Sequence, residues 1–283
     1  MEDFRNFNLE ISDEVFSLLS GLIYETSGIK LTLVKKGLLI ARLFKRLKVL
    51  GVKGFSEYYQ RVKNDAEELV EMLNCISTNT TLFFRETYHF EYLKEIVIPD
   101  FLKKKKEKCI RIWSAGCSTG EEPYSIAVAA NEVLKRSIPA PCAHWELKIL
   151  ATDISTTALK TAHTGIYERN QLPDDLPADL AGRYFLRGIK ENVGKIKLKD
   201  FVKESVSFRK MNLKDPTYPF QRTFDAIFCR NVMIYFDEDM KNHVLAMFYR
   251  HLRDDGFLFL GHSETMIGKE MFKPVYITVY KKT

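Results

Sequence analysis

The sequence predicts an α/β fold in which an open, mostly parallel sheet follows an all-helical N-terminal module. Residues 11–76 show only helical periodicity, whereas apolar strands and amphipathic helices alternate from residue 110 onward. Small residues, S-A-G-C-S-T-G at 114–120, form a turn between the first strand and its helix. Residues 166–210 interrupt the alternation with turn residues and short alternating runs, which predicts an inserted hairpin at the edge of the sheet.

Composition excludes several classes of protein. At 46% apolar and 28% charged residues the chain has an ordinary globular balance, and no apolar run approaches the ~20 residues of a membrane span. The acidic first ten residues do not have the layout of a signal peptide, so we expect a cytoplasmic protein. Five scattered cysteines without C-x-x-C pairs, and histidines without ligand spacing, predict a reducing environment and no metal site.

The N-terminal module contains four predicted helices. The first begins after Ser12 and ends at Gly28, because a serine cap and a terminal glycine bracket its apolar stripe. The second runs from about Thr32 to Leu50, and shorter helices cover 55–63 and 66–76. These four helices are expected to pack as one small module.

One face of the second helix is basic. At ~100° per residue, Lys35, Arg42, Lys45 and Arg46 fall together, away from the apolar stripe. Such a face is either simply solvated or a docking surface for an acidic partner. Because no aromatic residues are interleaved for base stacking, a protein partner is favoured over a nucleic acid.

A polar segment, 77–82, precedes the sequence Phe83-Phe84-Arg85-Glu86. This segment is either a linker that faces a ligand or a helix cap in which Arg85 is hydrogen-bonded within the protein. The residue types alone favour the helix cap. A helix over 89–102 then leads into the first strand.

The glycine turn is the strongest candidate for a ligand site. It lets a ligand approach the backbone closely, and the following helix carries Pro123 in its first turn, where a missing N–H costs nothing. The turn has no Lys of the phosphate-loop type and presents Glu121 and Glu122 instead. It therefore suits a ligand with hydroxyls and a positive charge, although an ordinary strand-to-helix turn remains the alternative.

Asp153 follows the second strand, predicted over 145–152. An acid at this position of an open α/β sheet holds ribose hydroxyls, since ligands bind at the carboxyl ends of the strands. The alternative is a helix cap, for which Ser155 and Thr156 compete.

The rest of the chain resumes the β/α pattern. Strands are predicted over 206–211 and 224–229, a helix over 237–253, and strands over 257–261 and 276–280 that form an antiparallel pair.

Five motifs stand out along the chain: TNTTLFFRE (78–86), RIWSAGCSTGEEPYSIA (111–127), ATDIS (151–155), FCRNVMIYF (228–236) and GHSE (261–264). Taken together, they resemble the CheR family, the chemoreceptor glutamate methyltransferases of bacterial chemotaxis. The resemblance covers roughly residues 10–283 and implies a helical domain over 1–77 and a Rossmann-like S-adenosylmethionine methyltransferase domain over 78–283, with a β-subdomain at about 166–210.

The resemblance also implies the site. Arg85 and Tyr235 would act at the point of methyl transfer, and Asp153 would take the ribose hydroxyls. The residues implied in binding S-adenosylmethionine, and its product S-adenosylhomocysteine, are Asn79, Thr81, Arg85, Gly116, Glu122, Asp153, Asn212, Leu213, Arg230 and Asn231.

The implied reaction is methyl-ester formation on glutamates of the receptors' cytoplasmic methylation helices. A carboxylate is ionised at neutral pH, with a pKa of about 4.3, so no general base is needed. The basic helix would dock these acidic helices, and the β-subdomain binds a receptor C-terminal tether in some family members. One alternative is a methyltransferase of RNA or another substrate, which the sequence CRNVMIYF at 229–236 disfavours. The other is a cofactor-binding scaffold that docks on receptors without methylating them.

Overall fold

The computed structural model describes residues 10–137, 145–264 and 270–283. Its N-terminal part contains helices α1 (Asp13–Ser27), α2 (Lys36–Leu50), α3 (Phe55–Asn64) and α4 (Ala66–Ile76). The predicted caps are confirmed: the Ser12 hydroxyl accepts a hydrogen bond from the Val15 N–H at 3.2 Å, and Gly28 ends α1 in the left-handed conformation. The second helix begins later than predicted, because residues 33–35 form a turn of 3₁₀-helix.

The four helices enclose their own apolar core. The stripes of α1 and α2 meet there through Leu19, Ile23, Leu39, Leu43 and Leu47, all of which are buried. Burial of such stripes supplies most of the stability of helices this short. Within the described residues, no helix combines the length and apolarity that crossing a membrane requires.

A continuous helical stretch connects this part to the sheet. Helix α5 (Thr87–Tyr92) passes through one π-helical segment, Leu93–Val97, into α6 (Ile98–Lys104). Its buried side chains, among them Phe90 and Phe101, join the core beneath the sheet. The predicted helix is confirmed, with a start at Thr87.

Among the described residues, the strands of the main sheet are β1 (Cys109–Ala115), β2 (Glu146–Asp153), β6 (Val206–Lys210), β7 (Phe224–Cys229), β8 (Leu252–Leu260), β9 (Phe272–Tyr276) and β10 (Val279–Lys282). They lie in the order β6-β2-β1-β7-β8-β10-β9. The first five of that order are parallel, and β10 pairs antiparallel with both β8 and β9. The predicted antiparallel pair corresponds to β8 and β10, but the predicted strand 276–280 spans the turn between β10 and an additional edge strand, β9.

Both faces of the sheet are covered. Along β1, Ile110 and Ile112 join the core cluster on the side of α7 (Glu121–Ser137). Trp113 points to the other face, where it packs edge-on against Phe248 of α11 (Glu238–His251) at 5.2 Å between ring centroids. Because both faces are buried, the central strands are apolar throughout rather than alternating.

The inserted element differs from the prediction. Three short strands form a separate antiparallel sheet in the order β3-β5-β4, so the predicted hairpin at the edge of the main sheet is wrong. The strands are β3 (Ile166–Glu168), β4 (Phe185–Arg187) and β5 (Lys195–Leu198), with helices α8 (Thr156–Thr164) before them, α9 (Ala178–Tyr184) between them and α10 (Asp200–Lys203) after them. Alternation correctly indicated strands in 195–208, but α10 divides that run. Its second half, β6, pairs parallel with β2 in the main sheet.

Candidate active site

The glycine turn connects β1 to α7, as predicted. Gly116 and Gly120 both have positive φ, 82° and 98°. A Cβ on Gly116 would lie 2.4 Å from Val232 Cγ2, and one on Gly120 would lie 2.8 Å from Ala162 Cβ. Since real contacts of this kind are never so short, the turn requires glycine at both positions.

A cleft opens at the carboxyl ends of β1, β2 and β7, with about 980 Å³ of space, part of it open to solvent. This is where open α/β sheets bind ligands. Every residue that the sequence placed in the cofactor pocket or at the transfer point lines this one cleft: Asn79, Thr81, Arg85, Gly116, Glu122, Asp153, Asn212, Leu213, Arg230, Asn231 and Tyr235.

Asp153 is held by backbone groups at the end of β2. Its Oδ1 accepts from the Ser155 N–H at 2.8 Å and its Oδ2 from the Ser118 N–H at 2.7 Å. Helix α8 is capped instead by the Ser155 hydroxyl, which accepts from the Ala158 N–H. Burial raises the pKa of Asp153, although both N–H groups oppose the shift. Because two of its lone pairs are still free, this carboxylate can accept hydrogen bonds from two hydroxyl groups.

Of the two glutamates that open α7, Glu122 faces the cleft. Its Oε1 accepts from the Ser114 hydroxyl at 2.7 Å. Burial raises the pKa of Glu122, and the guanidinium of Arg230 opposes that shift. Glu121 is buried outside the lining of the cleft, where it accepts hydrogen bonds from Thr119 and Gln171.

Arg230 is surrounded by protein groups, with its side chain only 2% exposed. Nη1 lies 3.3 Å from Glu122 Oε2, Nη2 lies 3.2 Å from Glu86 Oε2, and Nη2 also donates to the carbonyl of Arg85. Its charge is therefore balanced by two carboxylates, and it ties the Arg85 segment to α7.

Arg85 projects from a turn whose neighbours, Phe84 and Glu86, both have positive φ. Its side chain is exposed and donates to the Thr80 carbonyl at 3.3 Å. Glu86 closes the turn, because it accepts from the N–H of His262 and pairs with Arg230. Burial opposes its ionisation, but these contacts outweigh burial and lower the pKa of Glu86.

Tyr235 ends a 3₁₀ turn, Met233–Tyr235, after β7. Its carbonyl accepts from the Lys30 N–H at 2.9 Å, and Lys35 Nζ lies 5.9 Å from its ring centroid. Ser27 and Ile29 also line the cleft, so the loop after α1 forms part of its wall.

Asn212 also links the wall of the cleft to the end of α1. Its amide donates to the Thr26 carbonyl at 2.6 Å and its Oδ1 accepts from the Lys214 N–H. The neighbouring Leu213 is buried, and its carbonyl accepts from the Tyr218 hydroxyl at 2.7 Å. These contacts join the N-terminal helices to the sheet at the cleft.

The four basic residues assigned to a docking face have separate environments. Lys35 precedes α2 and lies at the cleft beside Tyr235. Arg42 donates to the Ile76 carbonyl and the Thr78 hydroxyl, and Lys45 is exposed. Arg46 pairs with buried Glu68, with 2.5 Å between Nη2 and Oε2, so its charge is used inside the helical part.

Sequence reasoning did not identify Glu86, Glu264 or the loop after α1 as parts of the site. Both glutamates stood inside the FFRE and GHSE motifs, which was the available signal. Their spacing along the chain gave no indication that they converge on residues 230–235.

The cleft fits the methyl donor. Two carboxylates, Glu122 and Asp153, line its inner side, and the Arg230 charge beside them is already balanced. These two carboxylates suit a cationic ligand that also carries hydroxyl groups, because they balance its charge and accept hydrogen bonds from its hydroxyls. We name Gly116, Glu122 and Asp153 the inner wall, and Arg85 and Tyr235 the outer rim.

This sheet order, with a glycine turn after the first strand and an acid after the second, defines a Rossmann-like methyltransferase that uses S-adenosylmethionine (SAM). The chain belongs to the CheR methyltransferase family. Residues 79–281 match its SAM binding domain and residues 14–77 match its all-alpha domain.

Curated relatives extend over nearly the whole chain. A chemotaxis protein methyltransferase of Borreliella burgdorferi is 40% identical across 98% of this chain and 97% of its own length. Chemotaxis protein methyltransferase 2 of Pseudomonas aeruginosa is 36% identical across 98% and 96%. The chemotaxis protein methyltransferase of Escherichia coli is 38% identical across 90% and 86%.

Proposed function

We propose that this methyltransferase esterifies glutamate side chains on the cytoplasmic methylation helices of chemotaxis receptors. The observation that carries the proposal is the outer rim: Arg85 and Tyr235 line the same cleft as the acidic inner wall. A cation and a phenol at the mouth can receive a carboxylate, while the inner wall receives the cationic donor.

SAM, when held by the residues of the inner wall, would supply a methyl group already activated by its sulfonium charge, with the neutral thioether as the leaving group. Arg85 holds one oxygen of the acceptor carboxylate through a charge-assisted hydrogen bond. Tyr235 donates its hydroxyl to orient the acceptor, so that the other oxygen is free to attack. No proton moves, and catalysis is therefore by positioning and exclusion of water.

The inner wall prepares the donor side. Asp153 would accept hydrogen bonds from the ribose hydroxyls through its free lone pairs. Glu122, which lines the same cleft, would when ionised favour the charged donor over the neutral thioether product. Asn79 and Thr81 close over the cofactor from the linker, and the Gly116 turn lets it approach the backbone. Asn212, Leu213, Arg230 and Asn231 shape the remaining walls.

The acidic receptor helix docks beside the cleft. Lys35 offers a cation beside Tyr235, and Arg42 and Lys45 would continue the basic surface along α2. Arg46, the fourth member of the sequence-based set, contributes through its hold on Glu68 rather than by direct contact.

The three-stranded inserted sheet is the proposed site for a receptor's C-terminal tether. Among the described strands, β4 and β3 are its edges, with β5 between them. An edge strand has unpaired backbone groups to which an extended peptide can add.

The test is methylation of receptor cytoplasmic fragments with radiolabelled SAM, with and without their C-terminal tails. We expect a base-labile label on glutamates in both fragments, and faster labelling of the fragment with its tail. Absence of label, despite S-adenosylhomocysteine binding measured by calorimetry, contradicts the proposed function. Equal rates for both fragments contradict only the tether.

A further inference from the structure

The GHSE segment places a buried carboxylate, Glu264, under the outer rim. Its Oε2 accepts from the N–H groups of Asn231 at 2.8 Å and Gly261 at 2.7 Å. Its Oε1 accepts from the Ile234 N–H at 3.3 Å. The residue is 6% exposed; burial raises the pKa of Glu264, and the backbone N–H groups that it accepts from oppose that shift.

These contacts bridge elements that are distant in the chain. Asn231 stands in the left-handed conformation at the end of β7, with φ of 59°, and Ile234 lies inside the 3₁₀ turn that ends at Tyr235. Val232, which precedes this turn, makes no side-chain cap. Glu264 therefore accepts the hydrogen bond from a backbone N–H of this turn that a local capping side chain would otherwise accept, although it lies 30 positions further along the chain.

The close approach of the two segments depends on Gly261. A Cβ there would lie 2.5 Å from Asn231 Nδ2 and 2.8 Å from Glu264 Oε2. The backbone of Gly261 thus lies directly against Asn231, the first residue of the segment 231–234.

We propose that Glu264 is a positioning residue for methyl transfer, which holds residues 231–234 by their backbone N–H groups so that Tyr235 faces the acceptor. The inference rests on the proposed function, because Tyr235 matters only if the cleft receives an acceptor. Glu264 does not line the cleft, and it acts through Tyr235.

Glu264→Gln is the direct test. The amide keeps the shape of the side chain but turns one acceptor into a donor that faces a backbone N–H. We expect kcat to fall about 5- to 10-fold, which is no more than the loss expected from removing the Tyr235 hydroxyl itself. Affinity for S-adenosylhomocysteine should change less than about threefold, and calorimetry also counts the folded, binding-competent sites.

A matched control is available on β7, the strand that precedes residues 231–234. Asp225 lies near the start of β7, is 2% exposed and pairs with Lys105 and Arg253. Asp225→Asn removes a comparably buried carboxylate at the other end of that strand. It should lower the melting temperature while kcat per competent site stays within about twofold.

A double-mutant cycle with Tyr235→Phe separates positioning from general support. If Glu264 acts through the Tyr235 hydroxyl, Glu264→Gln should change kcat less than about twofold in the Tyr235→Phe background. Additive losses, an unchanged kcat in the single variant, or a loss of cofactor affinity as large as the loss in kcat each overturn the inference. An inactive wild-type enzyme would instead contradict the proposed function.

Discussion

The inner wall and the outer rim of the cleft are held in different ways. Glu122 and Asp153 are largely buried, and their oxygens accept hydrogen bonds from groups on β1 and in the adjoining turns. Arg85 is exposed and Tyr235 half-buried, and their backbone carbonyls accept hydrogen bonds from the Arg230 side chain and the Lys30 N–H. The inner wall is thus preformed within one β-α-β unit, whereas the rim depends on contacts between distant segments.

This difference separates two kinds of effect. Changes in the inner wall should act mainly on cofactor affinity, because that wall is already in place before an acceptor arrives. Changes in the rim should act mainly on kcat, because the rim contacts the acceptor.

Gly116→Ala should have the largest effect. The added methyl meets Val232, and alanine at φ of 82° is strained by about 1 kcal/mol or more. We expect affinity for S-adenosylhomocysteine, measured by calorimetry, to fall at least about 100-fold, or ~2.7 kcal/mol.

The control is Gly37→Ala in α2, where an added Cβ has no neighbour within 4 Å. It should leave affinity unchanged. Combining Gly116→Ala with Val232→Ala removes the clash but not the strain, so affinity should return in part. Full affinity in Gly116→Ala alone would show that the turn does not carry the cofactor.

Arg85→Gln tests the rim. Loss of a charge-assisted hydrogen bond, worth about 1.5–3 kcal/mol, should lower kcat about 10- to 100-fold. Cofactor affinity should change much less, because Asp153 and Glu122 remain. Steady-state kinetics on receptor fragments, with calorimetry alongside, measures both. Equal losses in kcat and in cofactor affinity would mean that Arg85 binds the cofactor, and would contradict the proposed division between inner wall and outer rim.

Tyr235→Phe, also in the outer rim, should lower kcat by less than Arg85→Gln does. It removes one neutral hydrogen bond, worth about 1 kcal/mol, so kcat should fall about 5- to 10-fold with cofactor affinity retained. The ring and its contact with Lys35 stay in place. A variant that loses kcat and affinity equally would mean that the hydroxyl does not orient the acceptor.

The inner wall was also the more predictable from sequence. The glycine turn, the acid at Asp153 and the strand between them lie within about 40 residues, and β/α alternation fixes their order. The contacts of the rim join residues as far apart as Arg85 and Arg230, 145 positions along the chain. Periodicity carries no information about such pairs.

The inserted strands show the same limit. Alternation located β5 and β6 but not their partners, which belong to two different sheets. Likewise, helical spacing put Arg46 on the basic face and could not show that Glu68 pairs with it.

The smallest effect is expected from Lys45→Glu. Lys45 is exposed on α2, so charge reversal should raise KM for the receptor about threefold at low salt, without changing kcat or cofactor affinity. The increase should shrink as salt is added, because exposed charges are screened. Lys63→Glu, an equally exposed change on α3, is the control for net charge. Arg46→Gln is expected to behave differently, because it leaves the buried Glu68 carboxylate unpaired and should lower stability by about 3 kcal/mol. If Lys45→Glu and Lys63→Glu raise KM equally, the receptor responds to overall charge and α2 is not its docking surface.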